Sequence, residues 1–188
     1  MNNNIKICAI DIDGVLCYYP DDWLKFIKKE TGERFDYLWE AKNTLPFSLY
    51  RKLKKRYRDS GIKKEIRPRP FAIHLTHKLE SLGYTIILLT ARPIYENKNV
   101  LVDTLYWLKK NNIKHDLIFN GKDKHIKLLK YFKEIKFAIE DNHEVANQIA
   151  EAGFKVYLVN NVYNENRKID KRVKRIDVLD EVEEIRRN

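Results

Sequence analysis

Strand-length apolar segments recur along the chain at residues 5–10, 84–89, 116–119, 136–139 and 154–159, the first broken only by Lys6. Between the second and third, residues 97–110 place Leu101, Leu105 and Leu108 on one helical face. Between the fourth and fifth, Val145, Ile149 and Ala152 do the same. Strands alternating with helices predict an α/β fold: a parallel sheet with helices on both faces and right-handed crossovers. Ligands of such sheets bind at the carboxyl ends of the strands. Residues 167–188 are read as adding a short strand near 173–176 and a final helix.

One link is too long for a single crossover. About 70 residues separate Asp13 from Tyr84. The helix entering the second strand reads as 71–82, opened by Pro70 and closed by Gly83, which leaves 17–69 as an insertion after the first strand. Within it Asp21 or Asp22 is placed to cap a helix carrying Trp23, Phe26 and Ile27 and stopping at Gly32. A second helix, with a basic outer face, carries Phe47, Tyr50, Leu53 and Tyr57. The expected organisation is a core of 1–16 and 70–188 with a helical cap at 17–69.

Composition narrows the class without choosing a reaction. The chain has 188 residues, 44% hydrophobic and 34% charged, with 6 Gly and 5 Pro, which suits one packed core and not a disordered chain. No apolar run approaches the roughly 20 residues of a membrane span, and no signal-peptide pattern opens the chain, so a cytoplasmic location is expected. Cys8 and Cys17 make neither a disulfide framework nor a zinc site. His74 and His77 stand at helical spacing but lack an acidic or cysteine partner for a metal. The formal charge of +10, dense at 51–69 and 167–175, favours phosphorylated substrates and leaves nucleic acid open as a partner.

The first strand runs into Asp11-Ile12-Asp13-Gly14-Val15. Side chains two apart on a strand point the same way, so two carboxylates can converge where Gly14 lets the chain turn. Such a pair becomes tolerable beside a divalent cation or a shared proton. The second strand delivers Thr90 to the same edge, followed by Ala91 and Arg92; the threonine hydroxyl suits a phosphate oxygen, and Arg92 either contacts substrate or bridges to the cap. Lys124, at the entrance of a helix through Ile126, Leu128 and Leu129, can aim its ammonium at an anion and is preferred to Lys122. The fourth strand ends in Glu140-Asp141. Asp11, the Asp13 carbonyl and Asp141 thus form a candidate Mg²⁺ site of hard oxygen ligands.

With these residues in order, the sequence resembles the haloacid dehalogenase-like superfamily of aspartate-nucleophile phosphatases. The resemblance rests on Asp-x-Asp-Gly-Val at 11–15, Thr90 at a strand end, Lys124 opening a helix and the acidic pair Glu140-Asp141, and it spans residues 5 to about 159. It implies a Rossmann-like core with a small helical cap. It also implies Asp11 as the nucleophile of a phosphoaspartyl intermediate, Asp13 as general acid and then base, Thr90 and Lys124 on the phosphoryl group, and Asp141 on Mg²⁺. Glu140 would be an outer or additional ligand; many members have Asp there. An Asp at position 13 favours phosphoryl transfer over carbon–halogen chemistry. The wording Leu89-Thr90-Ala91-Arg92-Pro93 and the Trp107-Leu108 helix look closest to the 5'(3')-deoxyribonucleotidase branch. The expected substrate is a small phosphate monoester, foremost a nucleoside monophosphate, with Trp23, Phe26, Trp39 or Tyr50 packing on the base. The alternative is a polynucleotide 3'-phosphatase or a nucleic-acid-binding protein using the basic surface.

Overall fold

The computed structural model describes residues 6–121, 123–132 and 134–186, so Ile5 and Lys122 lie outside the described residues. Strands β1 (Lys6–Ile10), β2 (Tyr84–Thr90), β3 (Leu117–Asn120), β4 (Ile135–Glu140), β5 (Val156–Val159) and β6 (Val173–Ile176) pair in parallel in the order β3-β2-β1-β4-β5-β6. The order reverses at β1, which lies between β2 and β4. That reversal opens a crevice beyond the carboxyl ends of β1 and β4.

Alternation along β1 explains the two-sided core. Cys8 and Ile10 pack with Leu75 and Leu79 of α4 (Ala72–Ser81) and Trp107 and Leu108 of α5 (Lys98–Lys110). Ala9 faces the other side, toward Leu128 of α6 (Lys124–Tyr131) and Ala146 and Ile149 of α7 (His143–Glu151). Helix starts follow local chemistry: the Asn97 side chain accepts from Val100 N at 3.1 Å, and that of Asn142 accepts from Glu144 N at 2.9 Å. A 3-10 turn at Leu179–Glu181 and α8 (Glu183–Arg186) close the described chain.

Between β1 and α4 the chain leaves the sheet and returns to it, with Cys17 and Ile66 still packed in the core. The two linkers are joined by Tyr18 N to Arg67 O at 3.1 Å and Arg69 N to Leu16 O at 2.9 Å. Between them α1 (Asp21–Thr31), α2 (Leu38–Thr44), α3 (Phe47–Asp59) and a 3-10 turn at Ile62–Lys64 gather their own apolar cluster, including Trp23, Phe26, Ile27, Leu53 and Tyr57. Neither Asp21 nor Asp22 caps α1. Pro20 takes that position, where its missing N–H costs nothing, and both carboxylates fall in the first turn against the positive end of the helix dipole. The seven-residue α2 escaped the sequence reading because it is too short to show a periodic face. No described helix is long and apolar enough to cross a membrane.

Candidate active site

The chain leaves β1 through a tight loop in which Leu16 N and Cys17 N both bond to Ile12 O, at 3.0 and 3.2 Å, and Gly14 adopts φ +86°. A side chain at position 14 would collide with the Asp141 carboxylate and the Tyr163 hydroxyl. Glycine is therefore required twice over, for its backbone and for the close approach of β4. Thr90 and Glu140 are the last residues of β2 and β4, so rigid strands and not loops carry them to this edge.

On one side of the loop stand three carboxylates. Oxygens of Asp11, Glu140 and Asp141 lie within 4.8 Å of one another. Lys124 Nζ, at the first residue of α6, is 2.9 Å from Asp11 Oδ1 and 2.6 Å from Glu140 Oε1. Asp11, Lys124 and Glu140 are each less than a tenth exposed. Among the described residues Glu140 Oε2 is buried without a hydrogen-bond partner. Tyr163 donates to Asp141 Oδ2 from the loop after β5. Burial, then the charge of Asp11, pushes Asp141 up to about 7; burial also raises Glu140 and Asp11, against the pull of Lys124. One ammonium does not neutralise three carboxylates. The all-oxygen donors and the orphaned Glu140 oxygen fit a hard divalent cation. Glu140 is part of this cluster, where sequence reasoning had left its place open.

On the other side Asp13 points away from that cluster. Its Oδ1 accepts from Arg92 Nε at 3.0 Å and Nη2 at 2.5 Å, and its Oδ2 lies 3.4 Å from Lys63 Nζ. Burial would raise Asp13, but Arg92 foremost, then Lys63, hold it well below the usual carboxylate range. Arg92 is 2% exposed and also donates to Thr104 of α5 at 3.1 Å. Its ion pair is with Asp13 of the core, and its Nη2 also reaches the Cys17 sulfur at 3.5 Å. Thr90, fully buried, accepts from Arg92 N at 3.1 Å, while Ala91 is exposed. Lys54 of α3 approaches from the cap, its Nζ 2.7 Å from Tyr19 Oη and 4.5 Å from the centre of the Trp23 ring. The buried Cys17 thiol donates weakly to Asp13 Oδ1 at 3.5 Å and is pushed up by burial, so it stays a thiol.

A cleft of about 700 Å³ adjoins the acidic side, walled by Tyr18, Tyr19, Tyr37, Arg69, Asn161 and Tyr163. Trp23 and Phe26, expected against substrate, are buried in the cap cluster, with Trp23 stacked on Phe26 at 5.8 Å; Tyr50 meets the Trp23 ring edge-on at 5.7 Å. Trp39 is exposed and stacks on Tyr37. The tyrosines of the wall were missed because none lies on a periodic face. Tyr18 and Tyr19 had one signal: they follow the Asp11–Asp13 loop within a few residues.

No family model matches the chain, and no curated protein matches its sequence. Solved structures do match. A predicted phosphoglycolate phosphatase from Haemophilus somnus superposes with a TM-score of 0.68 at 16% identity, covering 99% of this chain and 100% of that one. CbbY from Rhodobacter sphaeroides, in complex with xylulose 1,5-bisphosphate, gives 0.66 at 13% identity over 94% and 96%. A haloacid dehalogenase-like family hydrolase from Streptococcus pneumoniae gives 0.60 at 14% identity over 84% and 85%. The chain therefore has the haloacid dehalogenase-like α/β fold. At such identities the likeness speaks for the fold; what the site does rests on its residues.

Proposed function

We propose that the protein is a divalent-cation-dependent phosphatase of small phosphate monoesters, working through a phosphoaspartyl intermediate on Asp11. The observation that carries this reading is the split of charge across the loop after β1. Three carboxylates face one ammonium on one side, and one carboxylate faces Arg92, Lys63 and Lys54 on the other. The first side calls for a dication, the second for an anion of similar charge; a phosphate ester dianion beside Mg²⁺ supplies both.

Asp11, Glu140 and Asp141, with the Asp13 carbonyl, would hold the cation, which when bound supplies positive charge to the phosphoryl oxygens. Lys124 opposes the rise that burial imposes on Asp11 and holds it in place for attack on phosphorus. Thr90 and Lys124 hold the transferring group, with Ala91 and Arg92 following at the strand end. The negative charge of a bound phosphate ester competes for Arg92 and Lys63 and raises the proton affinity of Asp13, which takes a proton from solvent. As Asp11 bonds to phosphorus the ester P–O bond breaks, Asp13 passes that proton to the leaving oxygen, and Asp13 then takes a proton from the water that hydrolyses the acyl phosphate. The fixed ammonium and hydroxyl act where negative charge redistributes.

A nucleoside monophosphate is the substrate this reading puts first, since the tyrosine-walled cleft offers faces on which a base stacks. A sugar phosphate is the second class, after the ligand of CbbY. A polynucleotide end, and with it nucleic-acid binding through the basic surface, fits less well: Asp21, Asp36, Glu165 and Asp177 also line the cleft and repel a polyanion. The expected location is cytoplasmic. The test is phosphate release from nucleoside 5'- and 3'-monophosphates, sugar phosphates and a 3'-phosphorylated oligonucleotide, with Mg²⁺ or EDTA. Mg²⁺-dependent release from monophosphates supports the reading; release from the oligonucleotide alone moves the substrate to nucleic-acid ends; no release at all rejects it.

A further inference from the structure

Two lysines are interior among the described residues: Lys124, which meets both Asp11 and Glu140, and Lys63, at 4% exposure. Buried ammonium groups are rare without full compensation. Lys63 has three N–H donors and, among the described residues, a single hydrogen bond, the 3.4 Å contact to Asp13 Oδ2, on a carboxylate that Arg92 already grips through its other oxygen. Its other close neighbours are ring faces, Tyr19 at 5.2 Å and Tyr57 at 5.5 Å, which favour a cation but leave its remaining donors without a strong acceptor. The Tyr57 hydroxyl, on a fully buried residue, is also unpartnered among the described residues. Two buried donors therefore wait for an acceptor on the cap side of Asp13.

The backbone holds Lys63 there. It is the central residue of the 3-10 turn Ile62–Lys64, entered through Gly61 at φ +77°. Its neighbour Lys64 pairs with the buried Asp103 at 3.3 Å, and Trp107 Nε1 donates to Ile66 O at 2.6 Å. Both partners belong to α5, a helix of the core. The turn is part of the insertion by sequence, yet it is fastened to the scaffold that carries the active-site strands.

We propose that Lys63 contacts the leaving oxygen of the phosphate ester and stabilises the negative charge that gathers there. The assignment rests on the phosphatase reading above. As Asp11 bonds to phosphorus, the ester P–O bond breaks and its electron pair moves onto the leaving oxygen. Asp13 delivers the proton that completes the alcohol, and Lys63 donates a hydrogen bond to the same oxygen without giving up a proton. Asp13 and Lys63 thus meet the leaving oxygen from the core and from the insertion.

The signature of this role is leaving-group dependence. Measured as kcat/KM over a series from p-nitrophenyl phosphate through phenyl phosphate to alkyl esters, Lys63→Met should lose about a hundredfold on the alkyl esters and only about tenfold on p-nitrophenyl phosphate, whose oxyanion needs less help. Lys63→Arg should restore most of the loss. A uniform loss across the series, or none, overturns the assignment and points to a structural lysine. Where Lys63→Met fails to fold, Lys63→Gln is read in the same way. Failure of the unsubstituted protein on every ester would instead defeat the phosphatase reading itself, so the two failures are distinguishable.

Discussion

Asp11 and Asp13 stand two residues apart and occupy opposite electrostatic worlds. Asp11 shares a buried corner with Glu140 and Asp141 and one ammonium, and negative charge is in excess. Asp13 is surrounded by Arg92, Lys63 and Lys54, and positive charge is in excess. The two halves also differ in origin. The acidic half is built by the ends of β1 and β4 and the start of α6, all core elements. In the basic half Arg92 comes from the core and both lysines from the insertion. A site divided in this way is electrically incomplete on both sides, and each half constrains what completes it.

The comparison is broken most severely at Asp11, the proposed nucleophile. Asp11→Asn keeps the shape of the side chain and removes its ability to take up the phosphoryl group, so turnover should fall by about 10⁵-fold or to background. Because it also removes one of three crowded carboxylates, its melting temperature in EDTA should be no lower than that of the parent. Next comes the ion pair of the basic half. Arg92→Met leaves Asp13 with Lys63 and the more distant Lys54 in a buried setting and should cost about 3 kcal/mol in urea unfolding, along with the position of the Asp13 carboxyl. Smaller again is Asp141→Asn, which should weaken Mg²⁺ binding by about 10- to 100-fold in a calorimetric titration while leaving unfolding in EDTA nearly unchanged. Equal losses of metal affinity in Asp141→Asn and Arg92→Met would mean that the halves are not separate.

The same division marks how far the sequence was readable. The acidic half announces itself because its residues sit at strand ends, and an apolar run that stops at Asp11 or at Glu140 locates the sheet edge without coordinates. Lys124 is legible for a similar reason, as the residue that opens an amphipathic helix. The basic half is hidden. Lys54 and Lys63 lie in a segment dense with lysine and arginine, and nothing local separates the one that turns inward from those that face water. Lys54 turns in against the rings of Trp23 and Tyr57, in a cluster packed across α1 and α3, and Lys63 through a turn fastened to α5. Packing in that cluster also removed Trp23 and Phe26 from the cleft, since a tryptophan on a helical face is as readily core as contact. Arg92 was legible as a residue of the edge, but its partner depended on which way a single guanidinium turns.

The smallest effect tests whether the excess positive charge is real. Lys54 Nζ bonds to Tyr19 Oη and lies among the rings of Trp23, Tyr19 and Tyr57. Burial foremost, then the charge of Lys63, with Arg58 adding and Asp13 opposing, brings it down to about 7 from an ordinary value of 10.5. Between those values the unfolded chain holds a proton on Lys54 that the folded chain lacks, so stability rises with pH across this window. Below about 7 both states are protonated and the cost of the buried charge is at its full value. Lys54→Met removes that cost. It should raise the melting temperature by about 5 °C at pH 6, and the gain should shrink toward zero as pH approaches 10. Inorganic phosphate should reduce the gain at pH 6, because an anion between Lys54, Lys63 and Arg92 compensates the charge that the substitution otherwise removes. A gain that is the same at both pH values would show that Lys54 acts through packing alone, and the basic half would then rest on Lys63 and Arg92.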